Sequence, residues 1–249
     1  MHRYAVSEDL RPYVRNAWFI DWDLGPEGTH TQGVLAPPAV NISVQPGEDG
    51  VTGVQTRADA RHLTGRSWVR GLLFRPAGFS ILVGPCLHQW VDRRCPVGDA
   101  FAPVHDLRAC FASGVDHAEQ LAAYEAWLRP QLRTIDEARR QQAEDVVETI
   151  RIDRTILDVG TLESHTGLSE RSLQRLLRAW VGLSPKSLIC RYRLHEAMHL
   201  LTERPDTDLA DLAFRLGYAD QAHFSRDFAK VVGEPPGAYV QRCLGARPT

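Results

Sequence analysis

The chain has 249 residues, 43% of them apolar and 24% charged, with a net charge of −2. These are the proportions of an ordinary soluble globular protein, long enough for one large domain or two modest ones. No stretch approaches 18 uninterrupted apolar residues, which excludes a membrane-spanning helix by sequence. A near-balanced charge leaves any polyanionic partner to be argued from where the charges sit. Five cysteines, Cys86, Cys95, Cys110, Cys190 and Cys243, are odd in number and form no C-x-x-C pair, the pattern of a reduced intracellular protein. The opening MHRYAVSEDLRPYVRN carries charges where a signal peptide has its apolar run, so a cytoplasmic protein is expected.

From Met1 to about Asp99, Gly and Pro punctuate short runs such as NAWFI, VNISV and VRGLLF. Runs rich in β-branched and aromatic residues between turn formers predict short strands in a small sandwich or barrel. Trp18, Trp22, Phe74, Arg75, His88 and Trp90 are the candidates there for a ligand pocket, weighed against ordinary core or surface roles. His30, His62 and His88 lack metal-ligand spacing, and the region has neither a Gly-rich phosphate loop nor a nucleophile elbow.

From about Val115 to Ile150, Leu121, Tyr124, Leu128, Leu132 and Ile135 recur at helical intervals. Pro130 predicts two helices or one kinked one. This pair reads as a rigid connector or a dimer seam.

From about Asp153 onward the pattern is helix after helix, and it contains a repeat. TLESHTGLSERSLQRLLRAWVGLSP aligns with DLADLAFRLGYADQAHFSRDFAKVVGEPP. Leu162 falls on Leu212, Gly167 on Gly217, Leu173 on Phe224, Arg175 on Arg226, Leu177 on Phe228, Gly182 on Gly233 and Pro185 on Pro236. Each copy predicts two short helices around a glycine turn, with Ser169 or Asp220 as N-cap of the second helix. Leu173 and Leu177, like Phe224 and Phe228, lie four apart and face inward. Their outward neighbours are Arg171, Gln174, Arg175 and Arg178 in one copy and Gln221, Ala222, Ser225 and Arg226 in the other. Gln and Arg can pair bidentately with adenine and guanine edges in a major groove, so the pattern is a doubled helix-turn-helix. Arg171 to His195 holds six basic residues and no acid, confining positive charge to one part of the module.

The segment LADLAFRLGYADQAHFSRDFAKVVGEPPGAYVQR closely resembles the DNA-binding domain of AraC/XylS-type transcription regulators, in its A-x-x-x-G-[FY]-x-[DS]-x-[SA]-x-F-x-R-x-F…G-x-x-P order. Glu163 and Leu177 depart from that pattern in the first copy. The resemblance implies about seven helices, two reading heads in adjacent major-groove turns, and gene regulation. Less specifically, LRPYVRNAWFI, GVQTR and RGLLFRPAGFSILVG resemble the β-rich N-terminal domains of some such regulators, which sense a ligand or pair subunits.

The expected fold is therefore α+β with two domains. Residues 1–114 form a β-rich sensor, residues 115–150 a helical connector or dimer element, and residues 151–249 an all-α DNA-binding domain whose heads are joined by a long helix from Pro185 to Glu203. Base readers are Arg171, Gln174 and Arg175 in one head and Gln221, Ala222, Ser225 and Arg226 in the other. Arg178, Lys186 and Lys230 are phosphate clamps, and His223 serves either packing or contact. Operator DNA is the expected partner; RNA polymerase, a small-molecule effector and a second copy of the chain are further partners the resemblance allows. No cofactor, metal or catalysis is expected.

One competing reading starts from His195-Glu196-Ala197-Met198-His199, the H-E-x-x-H spacing of zinc hydrolases. On the helix that carries it, Leu194, Ala197, Met198 and Leu201 form the inward stripe, which puts His195, Glu196 and His199 mostly off the core. The hydrolase also needs a third ligand and a substrate cleft, so this reading ranks second.

Overall fold

The computed structural model describes residues 1–34, 37–102, 105–111 and 115–245. The expected boundary after residue 114 abuts 112–114, which lie outside the described residues, as do 246–249 at the end of the last domain. The expected sandwich or barrel takes the form of a six-stranded antiparallel sheet with a two-stranded ribbon. The strands are β1 (His2–Tyr4), β2 (Val14–Asp23), β3 (Thr29–Val34), β4 (Asn41–Gln45), β5 (Glu48–Thr52), β6 (Asp59–Thr64), β7 (Arg66–Phe74) and β8 (Arg94–Cys95). The sheet order is β1-β2-β7-β4-β5-β8, and β3 pairs with β6. NAWFI, VNISV and VRGLLF supply the three adjacent strands β2, β4 and β7. The period-two alternation puts Ala17, Phe19, Ile42, Val44, Leu72 and Phe74 on the buried face.

Arg70 is buried on that face beside Phe19 and Trp68. Its guanidinium donates to Gln120 at 2.8 Å, to Asp21 at 2.7 Å and to the Ile20 carbonyl at 3.0 Å, which offsets the cost of burying a charge.

After short α1 (Ser80–Val83) and α2 (His105–Cys110) come α3 (His117–Leu128) and α4 (Glu137–Ile152). Pro130 does break the helix: a 3₁₀ turn at Arg129–Gln131 ends α3, and Asp136 restarts the chain by accepting from Arg139 N at 3.0 Å. Helix α3 lies on the sheet, its Tyr124 hydroxyl donating to the Ile42 carbonyl at 3.1 Å. Helix α4 is wedged between the sheet domain and the helices that follow. Arg140 donates to the Pro12 carbonyl at 3.1 Å, Glu144 accepts from Ala77 N at 3.0 Å, and Ala143, Val146, Val147 and Ile150 are buried in the shared core. Both apolar stripes are thus spent inside the chain.

The remaining helices are α5 (Val159–Thr166), α6 (Glu170–Trp180), α7 (Pro185–Glu203), α8 (Leu209–Arg215), α9 (Gln221–Val232) and α10 (Pro236–Gly245). One core runs from the sheet through α4 into α5, α6 and the start of α7, reaching Leu188 and Ile189. A second, separate core begins at Leu194 on the same helix and gathers α8, α9 and α10.

Candidate nucleic-acid interface

The repeat folds as one unit used twice. Asp158 caps α5 by accepting from Thr161 N at 2.8 Å, and Asp208 caps α8 by accepting from Ala210 N at 2.8 Å and Asp211 N at 2.9 Å. Gly167 (φ 68°) and Gly217 (φ 72°) end these helices in the left-handed region, as Gly182 (φ 93°) and Gly233 (φ 91°) end α6 and α9; an L side chain would be strained there. Ser169 then caps α6 through Ser172 N at 3.4 Å, and Asp220 caps α9 through His223 N at 2.7 Å. Pro185 and Pro236 each open the next helix, where a missing N–H costs nothing.

Glu163, the departure from the family pattern, is half-buried where its counterpart Ala213 is fully buried. Its carboxylate accepts from the backbone N of Glu170, so it ties α5 to the positive end of α6. Leu177 is fully buried like Phe228.

Arg171, Gln174, Arg175 and Arg178 are all exposed, and at 3.6 residues per turn they fall within about 100° of arc on α6. Gln174 Nε2 donates to Glu170 at 2.9 Å. On α9, Gln221, Ala222 and Arg226 are exposed, whereas Ser225 is half-buried; these four span about 140°. Lys186 and Lys230 are exposed. Among the described residues Arg171, Arg175, Arg178, Lys186, Arg226 and Lys230 form no ion pair, while Arg151, Arg154 and Arg242 are each bound to a glutamate. His223 divides its roles: its ring is exposed but packs edge-on against Tyr218 at 5.1 Å and lies 3.7 Å from Asp227.

Helix α7 spans 19 residues, about 28 Å at 1.5 Å per residue. The second head is locked to it by Arg193, whose guanidinium sits 4.1 Å from the centre of the Tyr218 ring and donates to the Leu157 carbonyl at 3.1 Å. This stacking leaves no signature in helical periodicity, so reading the sequence alone misses it.

The H-E-x-x-H side chains do not converge. Glu196 is held by Arg154 at 2.8 Å and His199 pairs with Glu203 at 3.3 Å. His195 corrects the expectation that all three lie mostly off the core: it is half-buried, and desolvation, aided by the Arg191 charge, pushes its pKa down to about 4. The physical reason is that α7 packs against α4, α5 and α6 as well as α9 and α10, so a residue off the Leu194–Leu201 stripe is still covered. The hollow beside Glu196 measures about 30 Å³, room for little more than a water. Among the described residues no three His, Cys, Asp or Glu side chains are grouped to hold a metal ion.

Among the described residues the pocket candidates of the β-domain have separate partners. Phe74 and Trp90 are core residues bridged by Phe79, with ring centres 5.2 and 5.1 Å away. Trp18 donates to Asn41 at 2.7 Å, Trp22 to the Thr64 carbonyl at 3.1 Å and Arg75 to the Arg11 carbonyl at 2.7 Å, while His88 is exposed.

Two exposed helices, each seated on a capped partner helix across a glycine turn and joined by a rigid strut, define a double helix-turn-helix module. Residues 162–242 match the family model of a helix-turn-helix domain. Residues 2–96 match a domain of unknown function, DUF6597. The HTH-type transcriptional activator RhaS of Klebsiella pneumoniae is 43% identical over 63 residues, 25% of this chain and 22% of that protein. RhaS of Escherichia fergusonii is 41% identical over 69 residues, 28% of this chain and 24% of that protein. The matched part thus spans under a quarter of the length of these curated relatives. Among solved structures, a probable AraC family transcriptional regulator from Rhodopseudomonas palustris aligns over 45% of this chain and 100% of its own, at 29% identity and a TM-score of 0.35. ToxT from Vibrio cholerae aligns over 92% of this chain and 99% of its own, at 11% identity and a TM-score of 0.45. Among the described residues no helix is long and apolar enough to cross a membrane.

Proposed function

We propose that the chain is a sequence-specific DNA-binding transcription regulator of the cytoplasm, without catalytic chemistry of its own, whose two heads read adjacent major-groove turns. The observation that carries this reading is the pair of matched recognition helices, α6 and α9, each presenting on an exposed arc a Gln and Arg side chains that form no ion pair among the described residues. Arg171, Gln174, Arg175, Gln221, Ala222, Ser225 and Arg226 contact base edges. Arg178, Lys186 and Lys230 contact phosphates, and His223 supports the fold of the second head. A strut of about 28 Å suits heads set near one DNA turn apart, about 34 Å. In this reading residues 1–114 are the regulatory domain and the seat of any small-molecule effector, 115–150 connect it, and 151–249 bind operator DNA and meet RNA polymerase.

Selection of bound sequences from random DNA tests the proposal, with light scattering on the same complexes to count protomers. Two half-sites with centres about 10–10.5 base pairs apart should be enriched; no enrichment over the starting pool would end it. Arg226→Ala should cost about 1–3 kcal/mol on the selected site and little on random DNA. Equal loss on both would reassign Arg226 to phosphate.

A further inference from the structure

Two segments of the β-domain, residues 53–58 and 87–93, are zipped together at its border with the helical module. Gly53 N donates to the Arg93 carbonyl at 2.9 Å and Asp92 N to the Val54 carbonyl at 2.9 Å. The Asp92 carboxylate accepts from Thr56 N at 2.7 Å and from the Thr56 hydroxyl at 2.6 Å. A side chain at Gly53 would overlap the Trp90 carbonyl, so the arms meet only because that position is glycine. Asp92 itself has φ 54°, the one non-glycine residue with positive φ among the described residues. Such a conformation persists where the surroundings over-determine it, here through three hydrogen bonds.

This strap touches both reading heads. At the first, the Leu87 carbonyl and the Val91 side chain crowd Gly182 in the α6–α7 turn, where an added Cβ would come within 2.9 and 3.1 Å. On the strut, Arg191 Nη1 donates to the Gln55 carbonyl at 2.6 Å. At the second head, Ala58 N donates to the Val231 carbonyl at 2.6 Å. That carbonyl belongs to the last turn of α9, whose carbonyls have no partner within the helix. The second head has its own core on the C-terminal half of α7, so this bond ties the far end of α9 to the β-domain in addition to its packing on the strut.

We propose that residues 53–58 and 87–93 form a splint that fixes the second reading head relative to the first, with Asp92 as the positioning residue that holds the splint closed. The β-domain thereby sets which half-site spacing the protein accepts, and any change that opens the strap relaxes that choice. The contact is intramolecular and uses none of the base-reading side chains, so it acts on spacing and leaves the recognition of each half-site alone. The inference rests on the DNA-reading function proposed above.

The test uses the full chain and its Asp92→Ala, Asp92→Asn and Thr56→Val variants. In selection from random DNA, Asp92→Ala should broaden the preferred spacing by a base pair or more and lose about tenfold in affinity for the paired site, equivalent to about 1.4 kcal/mol. Affinity for a single half-site should be unchanged. Asp92→Asn keeps an acceptor and tolerates positive φ, so it should behave as the parent. In hydrogen exchange, Asp92→Ala should lose protection at Ala58 and in the loops on both sides of the seam. Should Asp92→Ala unfold the chain, Thr56→Val removes the hydroxyl bond from the other arm and is read the same way. An unchanged spacing profile in the opened variants overturns the splint. If the parent chain enriches no paired sites, the DNA-reading function falls instead, and unchanged exchange at Ala58 in Asp92→Ala then overturns the splint independently.

Discussion

The two heads share a backbone plan and differ in what holds them together. The second is self-contained: Phe224, Phe228, Tyr218 and Tyr239 pack edge to face, with ring centres 5.5 to 5.6 Å apart, in a core of its own. The first fills the same positions with Leu173 and Leu177, smaller side chains, and closes its core with Trp180 and with α4 and the β-domain. Duplicating a motif therefore preserves caps, turns and exposed arcs, while the buried side divides into an independent head and one welded to the rest of the chain. The head that is welded is the one whose core the β-domain shares.

The largest expected effect tests that division directly. Phe228→Ala should cost about 3–5 kcal/mol and Leu177→Ala about 2–5 kcal/mol, the usual range for large-to-small core changes. Hydrogen exchange separates them: Phe228→Ala should deprotect α8, α9 and α10 and spare β2 and β7, whereas Leu177→Ala should also deprotect α4. Equal deprotection of the sheet by both would show that the cores are one cooperative unit.

A smaller effect belongs to the stretch of α7 where the two cores meet. His195 holds its proton in the unfolded chain below its ordinary 6.5 but refuses it in the folded chain until about 4. Stability from this group is therefore level above pH 6.5 and falls as the pH drops toward 4, by at most about 1.4 kcal/mol per pH unit. Denaturant titrations from pH 7 to 4 should show this slope in the parent and a shallower one in His195→Gln. Identical slopes would mean that His195 is solvated.

The smallest effect comes from the caps. Ser169→Ala and Asp220→Ala should each cost about 1 kcal/mol. The Asp220 loss should stay within the second head, and the Ser169 loss should spread into the shared core. A Ser169→Ala effect confined to α6 would weaken the contrast between the heads.

Much of the helical module is legible in the sequence. Caps at Ser169 and Asp220, turn glycines, the Pro185 start of α7 and the inward pairs at four-residue spacing are all local, and local chemistry imposes them. Other features are not legible there. Glu163 looks like a misfit at a buried position, yet its carboxylate caps α6, because a side chain can leave the core if a donor waits beside it. Trp90 and the GVQTR segment read as pocket or family markers, and they lie instead on or beside the strap that meets the helices. His195 reads as a surface residue because helical periodicity reports only one partner face, and α7 has neighbours on more than one side.

By itself the sequence determined the two heads, their order, the long strut and the side chains they present, since each follows from periodicity, capping and turn chemistry within some twenty-five residues. Only the tertiary structure decided that one head shares its core with the β-domain and the other does not, and that a strap closed by Asp92 spans the two. Those outcomes depend on contacts such as Ala58 to Val231, more than 170 residues apart in the chain, where no local rule fixes which backbone group finds which partner.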